Sequence, residues 1–289
     1  MVVTKGLLRM SETIRDQNGH NEKLRVVSGQ GKFTIYNAWQ RFGITKHWGT
    51  VSATQRLIKL CNIIAGQYVL DVGCGTGYTA CLLAKDYDVN VVAADLNSKV
   101  LEKANKRIAE EKVSGKVKTV KADAHGLPFS PNAFDAVIAE SVLAFCDKRR
   151  VSSEVYRVLK LGGVFGNNEG TWLKSPPAQL SSFLSKAYSI DIELLQEDEW
   201  RAVYEEAGFE VISSTIYPFN YIEQFFGEIR VDGIRRRLSA WLKAFSDPTV
   251  RRTIFKMDKE TRKGLRQFLS YAGYGLYVSR KPEIFVRNT

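Results

Sequence analysis

Short apolar runs alternate with segments of helical period through the middle of the chain. Tyr68–Val72 reads as a strand and Tyr78–Asp86 as the helix after it. Asn90–Ala94 is an apolar strand closed by Asp95, and Ser98–Lys112 is a helix with Ser98 at its N-cap. Lys116–Lys121 alternates as a third strand that leads to Asp123. Ala133–Ala139 is a buried strand ending at Glu140. Ser152–Leu159 reads as a helix stopped by Gly162 and Gly163, and Val164–Asn168 as the fifth strand. This alternation predicts an α/β protein with a mostly parallel sheet and helices on both faces.

The two ends of the chain read differently. Residues 1–30 are polar and mixed; residues 33–65 are helical in flavour and aromatic, with Phe33, Tyr36, Trp39, Phe42 and Trp48. Residues 1–65 are therefore expected to form an N-terminal arm and helical cover, ahead of an α/β core at 66–218. Within that core Glu197–Ala207 reads as a helix and Phe209–Tyr217 as a strand. Residues 219–272 read as a helical insertion before the last strand, Tyr274–Arg280, which lies in a final segment at 273–289. In the insertion Leu238, Trp241, Leu242 and Phe245 follow the i, i+3, i+4, i+7 rule, and Leu265, Phe268, Leu269 and Ala272 repeat it.

Charge sharpens the picture of the insertion. The chain of 289 residues carries a net +11. Twelve basic and four acidic residues fall between Ile229 and Ser270, so +8 of that excess is local. The 44% apolar and 25% charged composition is that of a globular domain, with no apolar run long enough to span a bilayer. The N-terminal residues lack a sustained apolar stretch and a small-residue cleavage site. Cys61, Cys74, Cys81 and Cys146 form no C-x-x-C pair, which together with that N-terminus leads to the expectation of a cytoplasmic protein. His20, His47 and His125 are scattered, so no metal is expected.

The densest chemistry lies in Asp71-Val-Gly-Cys-Gly-Thr-Gly77, where a strand enters a turn with glycines at alternate positions. In the dinucleotide fingerprint G-x-G-x-x-G the third glycine comes one residue later, and the loop brings a pyrophosphate to a helix N-terminus. Here Asp71 precedes the first glycine by two residues. A carboxylate there repels phosphate and suits a cationic cofactor, which points to S-adenosylmethionine (SAM). In open α/β sheets ligands lie beyond the carboxyl ends of the strands. Asp95, eighteen residues after Gly77, can accept from both hydroxyls of a ribose, and Asp123 from an adenine amino group.

With Asp95, Ala122-Asp-Ala-His-Gly-Leu-Pro-Phe129, Phe134-Asp135 and Tyr156-Arg-Val-Leu-Lys-Leu-Gly-Gly163, the glycine motif resembles the class I SAM-dependent methyltransferases. The closest flavour is the small-molecule branch that includes quinone, tocopherol and sterol methyltransferases. The resemblance covers residues 66–170. It implies a Rossmann-like, seven-stranded sheet with a reversed final hairpin. It also implies that Gly73, Cys74, Gly75 and Gly77 approach the methionine part of SAM, Asp95 and Leu96 the ribose, and Asp123 with Ala124 the adenine. Leu161 departs from the family, which usually has proline before the two glycines; that proline shapes a turn rather than the chemistry.

SAM carries the reactive methyl and leaves as S-adenosylhomocysteine, so the protein must mainly align the acceptor. A general base is needed where the acceptor keeps an acidic proton. Glu140, Glu169 and His47 are the candidates, and Glu140 is also a candidate for the cofactor's amino group. Glu169 belongs to a polar cluster, Asn167-Asn168-Glu-Gly-Thr-Trp172, which is expensive to bury without partners and is taken as the acceptor side. Tyr36, Trp39, Trp48 and Trp172 are candidates to line the acceptor pocket and meet the sulfonium through their ring faces. The expected acceptor is a small or lipid-like molecule, methylated at carbon or oxygen. The basic insertion reads as a solvated cap, as a lid over a large hydrophobic acceptor that touches an anionic membrane surface and makes the protein peripheral at the membrane, or as a nucleic-acid surface. RNA ranks below the lipid reading because no RNA-binding module is appended; a SAM-binding protein without turnover is the third alternative.

Overall fold

The computed structural model describes residues 48–178, 180, 192–219, 238, 239, 242, 246 and 259–283. The arm and the first part of the cover, with Tyr36, Trp39 and His47, lie outside these residues, as does most of the basic insertion ahead of residue 259. The expected lid contact with a membrane surface falls there too.

Helix α1 spans Thr50–Leu60. The core then runs β1 (Tyr68–Val72), α2 (Tyr78–Asp86), β2 (Asn90–Asp95), α3 (Ser98–Glu110), β3 (Val117–Lys121), β4 (Phe134–Glu140), α4 (Lys148–Val158) and β5 (Leu159–Trp172). It closes with β6 (Leu195–Gln196), α5 (Glu197–Glu206), β7 (Glu210–Pro218), α6 (Lys259–Tyr271) and β8 (Ala272–Arg280). The sheet order is β3-β2-β1-β4-β5-β8-β7, with β6 paired to β5 off this path. β1 to β5 are mutually parallel, whereas β8 runs antiparallel to both β5 and β7.

The fold class stands as expected, with one strand more than the seven anticipated. The extra strand has a physical origin. β4 ends opposite Asn168, but β5 continues to Trp172 because β8 pairs with it over its whole length from Val164. Past the end of β4 the other edge of β5 would be bare, and Leu195–Gln196 takes it by pairing with Thr171 and Trp172. The polar segment 167–172 is thus strand rather than the loop after one.

Two local boundaries also move. The cap of α3 is Asn97, whose side chain accepts from the Lys99 N–H at 3.0 Å, not Ser98. α4 starts four residues earlier than its periodicity indicated, because Asp147 accepts from the Arg150 N–H at 3.1 Å and opens the helix at Lys148. Gly162 and Gly163 lie inside β5 and do not stop the helix, which already ends at Val158.

Alternate strand residues fill two cores. Val69, Ile138, Leu276 and Val278 face α1 to α3, whereas Leu70, Val137, Phe165 and Tyr277 face α4 and α5, where Trp200 and Tyr204 are fully buried. The chain leaving β8 is pinned by Lys281, whose buried ammonium donates to Asn132 Oδ1, Tyr156 O and Leu159 O at 2.8–2.9 Å. Tyr156 and Leu159 lie at the end of α4, where the helix dipole favours a cation.

Candidate cofactor site

The glycine loop sits between β1 and α2, at the carboxyl edge of the sheet. Gly73, Gly75 and Gly77 all have left-handed backbone, with φ of 67°, 53° and 77°. They serve different ends. A side chain at Gly73 would run into Val142, so this glycine lets the turn after β4 close against the loop. A Cβ at Gly77 would lie 3.1 Å from Ala104 Cβ, so that glycine admits α3. A Cβ at Gly75 would meet no heavy atom within 4 Å. Gly75 is thus the point where the loop turns bare backbone to open space. Cys74 is buried, and burial raises its thiol far above the ordinary range, so it is a small apolar filler rather than a reactive group.

Three carboxylates frame this opening. Asp71 is buried, and its Oδ2 has no hydrogen-bond partner among the described residues. Burial, with the charges of Glu140 and Asp95 nearby, pushes its carboxyl well above the usual range. An unpaired buried acceptor beside two other carboxylates is what a cationic group would satisfy. Asp95 ends β2 and touches the loop itself: Oδ2 accepts from Gly75 N–H at 3.0 Å and Oδ1 from Asn97 N–H at 2.9 Å. Burial raises its pKa despite those two bonds. Leu96 beside it is 46% exposed, an apolar surface with nothing of the described chain over it. Asp123, with Ala124 next to it, stands at the end of β3, and its exposed carboxyl is bonded by His125. Burial, the largest single influence, works against ionisation there, but the backbone and ring bonds and the charge of His125, with Arg150, together outweigh it and hold the pKa below the ordinary value.

The acceptor side differs from expectation. Glu140 is only 5% exposed and both its oxygens are engaged: Oε2 accepts from Thr54 Oγ1 at 2.8 Å and Asn168 Nδ2 at 3.2 Å, and Oε1 from Thr79 Oγ1 at 2.8 Å. It knots α1, α2, β4 and β5 together. Glu169 is 0% exposed. Its Oε1 accepts from the Val142 and Leu143 N–H groups at 2.8 and 2.7 Å, and Oε2 from Ala144 N–H at 3.4 Å. It caps the single 3-10 turn Leu143–Phe145 after β4. Burial pushes its pKa up to about 7 against those bonds. Both carboxylates are buried and committed to hydrogen bonds within the fold, which gives each a structural role. The rest of the cluster is likewise consumed by the fold. Asn167 Oδ1 accepts from Tyr204 OH at 2.9 Å, and Thr171 Oγ1 lies 2.8 Å from Tyr277 OH.

Trp48 does stand at this edge. Its N–H donates to Ser141 Oγ at 3.1 Å and its carbonyl accepts from Asn168 Nδ2 at 2.8 Å, which clamps it over the ends of β4 and β5. Ser141 has φ of 62°, a strained backbone for a residue with a side chain. Trp172 is buried among Leu180, Leu194 and Phe268 instead of facing an opening. Thr54 and Thr79 escaped notice in the sequence; the only signal for them is a hydroxyl opposite a strand-end carboxylate, which requires the register to be known.

This arrangement has counterparts. A family model described as a methyltransferase domain matches residues 70–166, which hold the glycine loop and the three strand-end carboxylates. The uncharacterized methyltransferase YodH of Bacillus subtilis is 33% identical over 171 residues, 58% of this chain and 71% of that protein. The chain belongs to the class I SAM-dependent methyltransferases. A sterol 24-C-methyltransferase of Aspergillus fumigatus is 36% identical over 155 residues, which are 51% of this methyltransferase and 41% of the sterol enzyme. Among solved structures, a phosphoethanolamine N-methyltransferase 2 of Haemonchus contortus, in complex with phosphomonomethylethanolamine and S-adenosylhomocysteine, superposes with a TM-score of 0.67. That match covers 90% of this methyltransferase and 61% of the worm protein at 18% identity, so the likeness is one of fold. No helix among the described residues is long and apolar enough to cross a membrane.

Proposed function

We propose that this methyltransferase transfers the SAM methyl group to the carbon or oxygen of a small or lipid-like molecule with an apolar, isoprenoid- or quinone-type body. The observation that carries the reading is the cluster of rings at the carboxyl end of β5 and the amino end of β8. Trp48 lies 5.2 Å from Phe219, which lies 6.4 Å from Tyr274 and 6.2 Å from Phe268; Phe268 lies 5.9 Å from Trp172. Tyr217 stacks on Tyr274 at 5.2 Å. Trp172, Phe268 and Tyr274 are buried, and the partly buried Trp48, Tyr217 and Phe219 offer the apolar face of the cluster, with few rotatable groups. The sterol relative supports the same class of acceptor.

The residues present fit SAM. Gly75 would leave room for its methionine part, Asp71 would accept from its amino group, Asp95 with Leu96 would hold the ribose, and Asp123 with Ala124 the adenine. When bound, SAM supplies a methyl group already activated on a sulfonium. The chain's contribution is alignment. Glu169 fixes the turn after β4, Gly73 lets that turn close on the loop, and Ser141 and Asn168 hold Trp48 above both.

The test is incubation with labelled SAM against separated sterol, quinone, isoprenoid and RNA pools. Label in an organic-soluble product supports the reading. Label confined to RNA overturns it in favour of a nucleic-acid acceptor, and bound SAM without transfer to any pool overturns it in favour of a protein without turnover.

A further inference from the structure

His125 lies outside the glycine loop and outside the core, yet both of its ring nitrogens are committed. Nδ1 lies 2.7 Å from Asp123 Oδ1, and the His125 backbone N–H donates to that same oxygen at 2.9 Å. Nε2 accepts from the Asp147 N–H at 3.1 Å. A peptide N–H can only donate, so Nε2 carries no proton and Nδ1 carries one. The Nδ1–H then donates to an ionised Asp123. The ring is a two-ended link from a peptide N–H to a carboxylate.

Its two ends reach different halves of the site. Asp123 stands on the adenine side. Asp147 caps α4 and directly follows the turn that begins at Val142, the residue packed on Gly73. Arg150 strengthens the crossing, with Nε donating to His125 O at 2.9 Å. The outer part of the same loop is fixed separately, by Arg157 donating to Leu127 O and Phe129 O at 2.8 and 2.7 Å and by Glu154 accepting from Leu127 N–H at 2.8 Å.

We infer that His125 is a positioning residue: it aims Asp123 at the adenine and ties that loop to the start of α4, so one imidazole sets the two halves of the site relative to each other. The inference rests on the assignment of Asp123 to the adenine.

The test is calorimetric SAM affinity at neutral pH for wild type, Asp123→Ala, His125→Ala and His125→Asn. Nitrogen NMR of the ring in the cofactor-free protein accompanies it. Expected are an Nδ1–H tautomer at neutral pH and a loss of about 3- to 10-fold in affinity for His125→Ala, the size of one or two exchanged hydrogen bonds. Partial recovery is expected in His125→Asn, which can still reach Asp123. An Nε2–H tautomer overturns the inference, and this readout needs no variant to fold. Wild-type affinity in His125→Ala beside a weakened Asp123→Ala overturns the inference alone. Wild-type affinity in Asp123→Ala removes the adenine assignment and the inference with it.

Discussion

Gly75→Ala separates a cofactor cradle from a mere tight turn. The backbone at Gly75 is left-handed, with φ of 53°, and an added Cβ meets no heavy atom within 4 Å. The substitution therefore costs only the left-handed conformation, about 1–2 kcal/mol. For a chain of this size that lowers the melting midpoint by about 2–8 °C. Gly66 provides a matched control: φ is 85°, a Cβ there also meets nothing within 4 Å, and it lies at the opposite, amino end of β1. Gly66→Ala should lose the same stability. The new methyl at residue 75 projects into the space assigned to the methionine part of SAM. A single intruding carbon that forces the ligand aside should weaken binding at least tenfold, which corresponds to about 1.4 kcal/mol. The assay is SAM calorimetry paired with thermal melting of both variants. If Gly75→Ala binds SAM within twofold of Gly66→Ala, the open face of the loop is not where the cofactor lies. Gly73→Ala would not serve, because its methyl strikes Val142 and the variant would fail for reasons of packing.

Other side chains make separate commitments. The Glu169 carboxyl moves from an ordinary 4.5 to about 7 on folding, so the folded state holds the extra proton in that interval. Stability is then highest below about pH 4.5, falls as pH rises towards 7 and is level above it, by about 3 kcal/mol in all. Glu169→Gln keeps an acceptor for the Val142 and Leu143 N–H groups, and urea unfolding should show that slope flattened; a slope unchanged from wild type would assign it to another group. Lys281→Met leaves Asn132 Oδ1 and two carbonyls without their shared donor. It should cost about 1–3 kcal/mol in urea unfolding, with SAM affinity unchanged. A loss of affinity would place the C-terminal pin in communication with the site.

The cofactor half of the site was legible because its signals are local. Asp71, Gly73, Gly75 and Gly77 lie within seven residues, Asp95 follows an apolar run and Asp123 an alternating strand. The acceptor half depended on register. Asn167 and Asn168 looked alike in the sequence, yet successive strand residues face opposite ways: Asn167 meets Tyr204 on the α5 side, and Asn168 meets Trp48 and Glu140 on the α1 side. The same alternation turns Glu169 away from Glu140, although both were read as facing one pocket. The end of β5 could not be found from periodicity either. A strand that borrows one neighbour from β8 and another from β6 outlasts its own apolar run.

The fate of the two glutamates bears on the chemistry. Displacement at a sulfonium needs a linear approach and a dry, fixed geometry more than it needs a proton carrier, since the methyl is already activated. A buried carboxylate that accepts several hydrogen bonds is well suited to fixing backbone and poorly suited to exchanging protons with a ligand. Glu140 holds two helices against the ends of β4 and β5, and Glu169 holds the turn that packs on Gly73; each orders a wall of the site from beneath. Their placement shifts the search for a base, where the acceptor demands one, to groups reached from the open side of Trp48 and Ser141. The three backbone N–H groups bound by Glu169 make the same point from the other direction. A carboxylate needed to keep that turn in place could not lose its proton acceptors to a substrate without loosening the surface on which the substrate is aligned.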